Sequence, residues 1–160
     1  MSDVRVIGVG NAYRHDDGVG LRVVEVARER IGDSASVQTL DGEPTRLLDA
    51  WEGADVAVIV DAVQSGAPAG TVHRIAIDGD APASDSDAVP ARPRAASSHA
   101  PGPGEAIALA RALGRLPRRL VLYGVEGVDF SEGIGLSDPV DEVVHTIVAS
   151  IVNDVRSVRS

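Results

Sequence analysis

The sequence predicts an α/β fold with a mostly parallel sheet and helices on both of its faces. Short apolar runs alternate with segments of helical periodicity along the 160 residues, which is the order found in strand–helix–strand units. The run Val56–Val60 is unbroken and mostly β-branched, as in a central strand that is covered on both faces. The length suits a single domain with a sizeable core, so we expect one domain over residues 1–160.

A glycine-rich turn separates the first predicted strand from the first predicted helix. Val4–Val9 has the pattern of a short buried strand, and Val19–Ile31 carries apolar residues at helical spacing. Gly32 then ends the helix. Between the two elements, small residues allow the backbone to bend tightly where the strand ends.

The rest of the chain continues this alternation. Gly114 ends one helix, and the pair Asp138-Pro139 is a good start signal for the last one. From about residue 78 to 103 the chain is rich in Ala, Ser, Asp and Pro, so we expect a long loop there. The other predicted strands are Val37–Leu40, Val56–Val60, Gly70–Ile77 at an edge and Leu120–Val125, and the other predicted helices are Thr45–Trp51, Glu105–Leu113 and Val140–Val155.

Composition excludes several classes of function. The formal net charge of -9 argues against nucleic acid and anionic membranes as partners, because both are polyanions. A metal ion or a basic peptide tail is compatible with this charge, although the simpler interpretation is solubility. The absence of cysteine excludes thiol catalysis, disulfides and cysteine-based zinc sites.

The sequence also indicates a cytoplasmic protein. The N-terminus leads directly into a strand pattern without a charged and apolar leader. No apolar run approaches the roughly 20 residues needed to span a bilayer. No long apolar stripe is left over once the predicted core is filled, so we expect a monomer.

Three polar residues make up the candidate site. Asp17 follows the first strand, Asp61 follows the central strand, and His99 lies in the long loop just before a helix. In a doubly wound sheet the loops at the carboxyl ends of the strands converge on one crevice. Two carboxylates and one imidazole form a plausible open site for a borderline divalent metal.

Each of these residues also has a structural interpretation. Asp16 or Asp17 would cap the following helix, where a carboxylate favours the positive end of the helix dipole. His99 would be a solvated loop histidine. Asp61 is harder to explain in this way, because a lone buried carboxylate is costly without a partner. Asp41, beside Gly42, fits either a turn or a carboxylate at the rim of the site.

Other readings of the polar residues are weaker. The turn after the first strand lacks the third glycine of a dinucleotide fingerprint. The cluster Ser97-Ser98-His99 has no nucleophile elbow of the G-x-S-x-G type. The remaining histidines are expected at the surface, and His15 is close enough in sequence to the first turn to line the site; they are His15, His73 and His145.

Several motifs in order resemble the hydrogenase maturation endopeptidases, which process the large subunit of nickel–iron hydrogenases. The resemblance covers nearly the whole chain, and it is the ordered set that is specific. The motifs are GVGNAYRHDDGVG at Gly8–Gly20, LDGEP at Leu40–Pro44, VIVDAVQSGAPAGTV at Val58–Val72, SSH at Ser97–His99, LVLYGVE at Leu120–Glu126 and GLSDPV at Gly135–Val140.

The resemblance implies a three-layer sandwich around a twisted, mostly parallel five-stranded sheet. It implies that Asp17, Asp61 and His99 are metal ligands, and that Asp41 has a function near the cleft. It implies a single endoproteolytic cut that removes the C-terminal extension of a large-subunit precursor after nickel insertion. The nickel is expected to arrive already bound to the precursor, and other divalent metals would substitute for it in the isolated protein.

The resemblance leaves the mechanism open. The metal either activates water or polarises the scissile carbonyl, or it only anchors the substrate while a carboxylate acts as general base. Asp16 is the first candidate for that base. The alternative function is a non-catalytic nickel-checkpoint or chaperone-like binding module of the same fold. A spore germination protease shares the architecture, but its self-processing propeptide has no obvious counterpart in so short a chain.

Overall fold

A five-stranded sheet lies between helices on both faces in the computed structural model, which describes residues 2–84, 88–91 and 102–159. Short 3-10 turns at His15–Gly18 and Gly32–Ser34 flank the first helix. The strands are β1 Val4–Val9, β2 Ser36–Leu40, β3 Val56–Val63, β4 Val72–Asp78 and β5 Arg119–Glu126, and the helices are α1 Val19–Ile31, α2 Pro44–Trp51, α3 Pro103–Leu113 and α4 Asp138–Arg159.

The strand order is β2-β1-β3-β5-β4, so the chain adds β2 on one side of β1 and then β3 on the other side. β1 is parallel to both β2 and β3, and β3 is parallel to β5. β4 is antiparallel to β5 and lies at an edge, as its alternating sequence predicts. The predicted α/β fold, mostly parallel with helices on both faces, is therefore confirmed.

Alternate residues of the central strand face two separate cores. Val58 and Val60 pack with α1 and α4 on one face of the sheet. Ala57 and Ile59 pack with α2 and α3 on the other face, where the only Trp of the chain, Trp51, is fully buried. The unbroken apolar run of β3 is thus explained by burial on both faces.

The first turn of α1 lies directly on the ends of two strands. A Cβ atom at Gly20 would lie 2.3 Å from the carbonyl oxygen of Val60 and 2.6 Å from that of Val9. Only glycine permits this approach, because such distances are far inside van der Waals contact. The close contact fixes the turn before α1 against the carboxyl ends of β1 and β3.

Two predicted boundaries differ from the structure in a way that matters for the site. β3 continues through Val63, so Asp61 lies within the strand and does not follow it. The extension occurs because β5 also runs further, to Glu126, and pairs with β3 up to the register Val63↔Glu126.

None of the described helices is both long enough and apolar enough for a membrane span.

Candidate active site at the carboxyl edge of the sheet

The topological switch point of the sheet lies between β1 and β3. After β1 the chain passes through α1 on one face of the sheet to β2, and it returns through α2 on the other face to β3. The two connections diverge at the carboxyl ends of β1 and β3, and this is where open α/β sheets form a crevice. Asp17 follows β1 and Asp61 lies near the end of β3.

A tight turn holds the backbone of Asp17 at this crevice. The amide of Asn11 donates to the Asp17 carbonyl oxygen at 3.2 Å, and the Asp17 amide donates to the Arg14 carbonyl oxygen at 3.0 Å. Gly10 has a φ of 146°, and a Cβ there would lie 1.9 Å from the Asp17 carbonyl oxygen. The 3-10 turn that carries Asp17 contacts β3, and the residue is 1% exposed.

Asp61 is equally buried and faces the side of the sheet that carries α2 and α3. Its Oδ1 accepts a hydrogen bond of 2.8 Å from the amide of Ala62, and the residue is 1% exposed. It lines a cavity of about 270 Å³ together with the segment 89–91 and the first turn of α3, Pro103–Glu105. Asp17 and Asp61 therefore lie on two elements that contact each other, at the switch point of the sheet.

Asp16 has a different environment from its neighbour. Its Oδ1 accepts from the Ser137 amide at 2.8 Å. Its Oδ2 accepts from the amides of Val128 at 2.8 Å and Asp129 at 3.0 Å and from the Ser137 hydroxyl at 2.8 Å. These contacts anchor the loop of residues 127–137 to the site, and the general-base role of Asp16 stays a prediction.

The helix-cap interpretation is wrong for Asp16, whose carboxylate accepts its hydrogen bonds from the loop 127–137. Gly18 is the N-cap residue of α1, and the cap interpretation of Asp17 stays a prediction. The donors that Asp16 accepts from lie more than 110 positions away along the chain, as its pairing with Val128 shows. The role of this carboxylate is therefore set by tertiary contacts and not by the local sequence.

Asp41 follows β2 and is in contact with solvent. It lines a shallow cavity with Gly10 and Leu40 at the carboxyl end of β2. A hydrogen bond from the Glu43 amide and an ion pair of 2.6 Å with Arg46 hold the pKa of Asp41 below its usual value, against the opposing effect of partial burial. The turn and the site-rim interpretations of Asp41 are thus both compatible with its position.

The third predicted ligand, His99, lies outside the described residues, as does the Ser97-Ser98 pair before it. Within residues 2–84, 88–91 and 102–159, no group of three or more His, Asp and Glu side chains could hold a metal ion. Asp17 and Asp61 lie on elements that contact each other near the switch point. The proposed set of three stays a prediction.

The sequence analysis does not predict a cluster around the buried carboxylate of Glu126. Glu126 ends β5, and its carboxylate accepts from the amide of Ser65 at 3.1 Å, from the Ser65 hydroxyl and from His73 Nε2 at 3.0 Å. Burial raises the pKa of Glu126, but the bonds from Ser65 and His73 outweigh burial and leave this pKa below its usual value. An acidic residue at the end of an apolar strand was the available signal.

The three histidines expected at the surface have different environments. His145 is exposed. The side chain of His73 is 28% exposed on the edge strand β4, so it lies partly at the surface, and its Nε2 atom contacts Glu126. The Nδ1 atom of His15 lies 2.9 Å from the carbonyl oxygen of Gly135, and the residue is half-buried between two loops.

The fold and these residues define a doubly wound α/β protein with buried carboxylates at its topological switch point. The model of the hydrogenase maturation protease family matches residues 21–154. The hydrogenase expression/formation protein HupD of Thiocapsa roseopersicina is 36% identical over 134 residues, which are 81% of this chain and 57% of that protein. The chain therefore belongs to the hydrogenase maturation protease family.

Other comparisons agree with this assignment. The hydrogenase 2 maturation protease of Escherichia coli K12 is 27% identical over 155 residues, which cover 96% of this chain and 90% of that protein. The solved structure of the hydrogenase maturating endopeptidase HybD from E. coli has the same fold, with a TM-score of 0.72 over 97% of this chain and 93% of that chain at 24% identity.

Proposed function

We propose that this chain is a cytoplasmic endopeptidase that removes the C-terminal extension of a nickel–iron hydrogenase large-subunit precursor. Family membership supports the reaction class. The nickel belongs to the substrate in this proposal, because the precursor brings it already bound. Asp17 and Asp61 contact it in the docked complex, together with His99.

The observation that carries the proposal is the burial of two carboxylates on contacting elements at the switch point of the sheet. Asp17 and Asp61 are each 1% exposed and lie on elements that contact each other. Carboxylates are seldom buried for packing alone, because removing their charge from water costs several kcal/mol, so two of them on contacting elements at the switch point support a functional role. Carboxylate and imidazole ligands suit a borderline ion that must be exchanged.

His99 fits this site by its distance along the chain. It is three positions before Gly102, and the neighbouring Pro103 lines the cavity beside Asp61. A chain of three residues spans at most about 10 Å. The amide of Gln64, three residues after Asp61, also donates to the carbonyl oxygen of Ala91 at 2.8 Å and so ties the long loop to the end of β3.

The hydrolysis needs a group that takes a proton from the attacking water. A divalent ion at this position would lower the pKa of water or polarise the scissile carbonyl. Asp41 and Asp16 are the proposed general bases. Asp41 is open to solvent and lines a cavity with Gly10 of the turn after β1, whereas the buried carboxylate of Asp16 already accepts four hydrogen bonds.

The test is the mass of a purified precursor before and after incubation with the protein, with the precursor loaded with nickel or free of it. The wild type should remove the extension only from the nickel-loaded form. Asp61→Asn should slow this removal on the order of 100-fold or more, as expected for the loss of a group at a metal site. Asp33→Asn is the matched control, because Asp33 is exposed in the turn after α1.

Two outcomes would overturn the proposal. If the wild type binds the precursor and leaves its mass unchanged, the chain is a binding module and not a protease. If Asp61→Asn processes the precursor at the rate of the wild type, Asp61 has no part in the reaction.

A further inference from the structure

Three large apolar side chains are exposed on two neighbouring loops beside the candidate site. Tyr13 is 70% exposed, Val128 is 63% exposed and Ile134 is 76% exposed. Tyr13 lies in the loop after β1, and the other two lie in the loop of residues 127–137. Single exposed apolar residues are ordinary, but a group of them on adjoining loops is typical of an interaction surface.

Hydrogen bonds join these two loops into one rigid unit. The Gly133 amide donates to the Tyr13 carbonyl oxygen at 2.9 Å, and the His15 amide donates to the Gly133 carbonyl oxygen at 3.0 Å. The buried carboxylate of Asp16 binds the same loop at Val128 and Ser137. A surface held in this way loses little conformational entropy when a partner binds.

A cavity lined in part by Ile134 opens beside these exposed side chains. Its volume is about 340 Å³, and it lies between the loop 127–137 and the first turns of α1 and α4. Ala12, Leu21, Ile134 and Leu136 supply its apolar lining. We call Tyr13, Val128, Ile134 and this cavity the apolar docking surface.

The border of the apolar docking surface is acidic. Asp129 and Glu132 are exposed on the loop 127–137, and Asp138 and Asp141 are exposed at the start of α4. Arg22 also borders the cavity, but it lies 3.9 Å from Glu25, a further acidic residue. Together with the net charge of -9, this border favours a partner that carries lysine and arginine around an apolar patch.

We propose that the apolar docking surface binds the body of the hydrogenase large-subunit precursor, through an apolar patch of the precursor that is bordered by basic residues. The inference rests on the proposed function for the identity of the partner. The position supports this occupant, because Tyr13 is four residues from Asp17 and the loop 127–137 is bonded to Asp16. A precursor seated here would lie beside the crevice that receives its extension.

A second copy of this chain fits the surface less well. A symmetric pair would bring two acidic borders together, and like charges across an interface cost several kcal/mol. A monomer in solution is therefore the expected state of the free protein.

The experiment measures the affinity of the full-length protein for immobilised, nickel-loaded precursor. Ile134→Asp and Val128→Asp should each raise the Kd at least tenfold. The wild-type association rate should fall as salt rises, because the acidic border attracts a basic partner. Leu113→Asp is the matched control, because Leu113 is 55% exposed at the end of α3, which packs on the other face of the sheet from α1 and α4. It should leave the Kd unchanged.

The binding and the cleavage readouts separate the two proposals. Wild-type binding that depends on Ile134 supports the docking surface, even if the mass of the precursor never changes and the protease proposal fails. Absence of wild-type binding, or equal Kd values for all variants with unchanged thermal unfolding, overturns the docking surface. Light scattering that shows a dimer which Ile134→Asp dissociates would also overturn it, in favour of a second copy.

Discussion

Two adjacent aspartates have separate roles because their surroundings differ. The backbone of Asp17 is held by its own turn, next to the crevice. Asp16 points to the loop 127–137 and accepts four hydrogen bonds there. The sequence places both at a strand end, but it cannot distinguish them, because the donors to Asp16 come from a distant part of the chain.

Asp16→Asn should lower the free energy of unfolding by about 2–4 kcal/mol. The asparagine amide group would face backbone and hydroxyl donors, and each buried donor left without an acceptor costs about 1–3 kcal/mol. Denaturant unfolding measures the change. Asp33→Asn, at an exposed turn, should change the free energy by less than about 0.5 kcal/mol. Equal stability of the two variants would mean that the Asp16 contacts contribute little.

Glu126 makes the stability of the fold depend on acid. Its folded-state pKa lies below the usual value, so the stability that it contributes is complete above its unfolded pKa of about 4.3 and is lost as the pH falls through the folded-state value. The free energy of unfolding should therefore fall more steeply below about pH 4.3 in the wild type than in Glu126→Gln.

Urea titrations at several pH values between 3 and 7 would measure this difference, on the scale set by the carboxyl pKa values. Glu142→Gln is the control, because Glu142 is exposed on α4. It should keep the slope of the wild type. A Glu126→Gln variant with that same slope would contradict the role assigned to the bonds from Ser65 and His73.

At the scale of single elements, the carboxyl end of β3 is the feature that sequence analysis describes least well. The apolar run stops at Val60, so the sequence predicts that the strand ends before Asp61. The strand continues because Asp61, Ala62 and Val63 pair with β5. A pairing partner that is distant in sequence thus decides where a strand ends, whereas α1 is predicted to the residue because its periodicity and Gly32 are local.

Gly20→Ala should destabilise the protein by about 2 kcal/mol or more, because the new methyl group would collide with the carbonyl oxygens of Val60 and Val9. The matched control is Gly104→Ala. Gly104 also lies in the first turn of a helix, and a Cβ there would meet Val89 at an ordinary distance of 3.6 Å. The Gly104→Ala substitution should leave the stability of the protein unchanged or raise it by up to about 1 kcal/mol, since alanine favours the helix.

Thermal unfolding of both variants tests this prediction. Gly20→Ala should lower the unfolding temperature, and Gly104→Ala should raise it or leave it unchanged. A tolerated Gly20→Ala would show that α1 is able to shift away from the strand ends. Such a shift would move the turn that carries Asp17 away from β3.

For the whole molecule, the sequence predicts more of the architecture than of the site. All the predicted strands and helices exist, because each is specified by a local apolar pattern. The approach of Asp17 to β3 depends on strand order, which follows from the connections of α1 and α2 across opposite faces. The Glu126 cluster depends on bonds across three segments and has only a weak signal in the sequence.

The free protein should be a monomer of 16.5 kDa in solution. Its acidic character, with a net charge of -9, disfavours self-association through the exposed apolar side chains. Size-exclusion chromatography with light scattering at low and high salt measures the mass. A stable dimer at low salt, where repulsion is strongest, would contradict this expectation.

The hydrogen bonds between Asp16 and the loop 127–137 constrain the length of this loop more than the identity of its side chains. Most of the donors are backbone amides, so replacing the side chains at positions 128, 129 or 134 keeps them, while an insertion or deletion would displace them. Point substitutions on this loop can therefore change which substrate protein the docking surface binds. The carboxylate of Asp16 keeps its hydrogen bonds as long as the length of the loop is conserved.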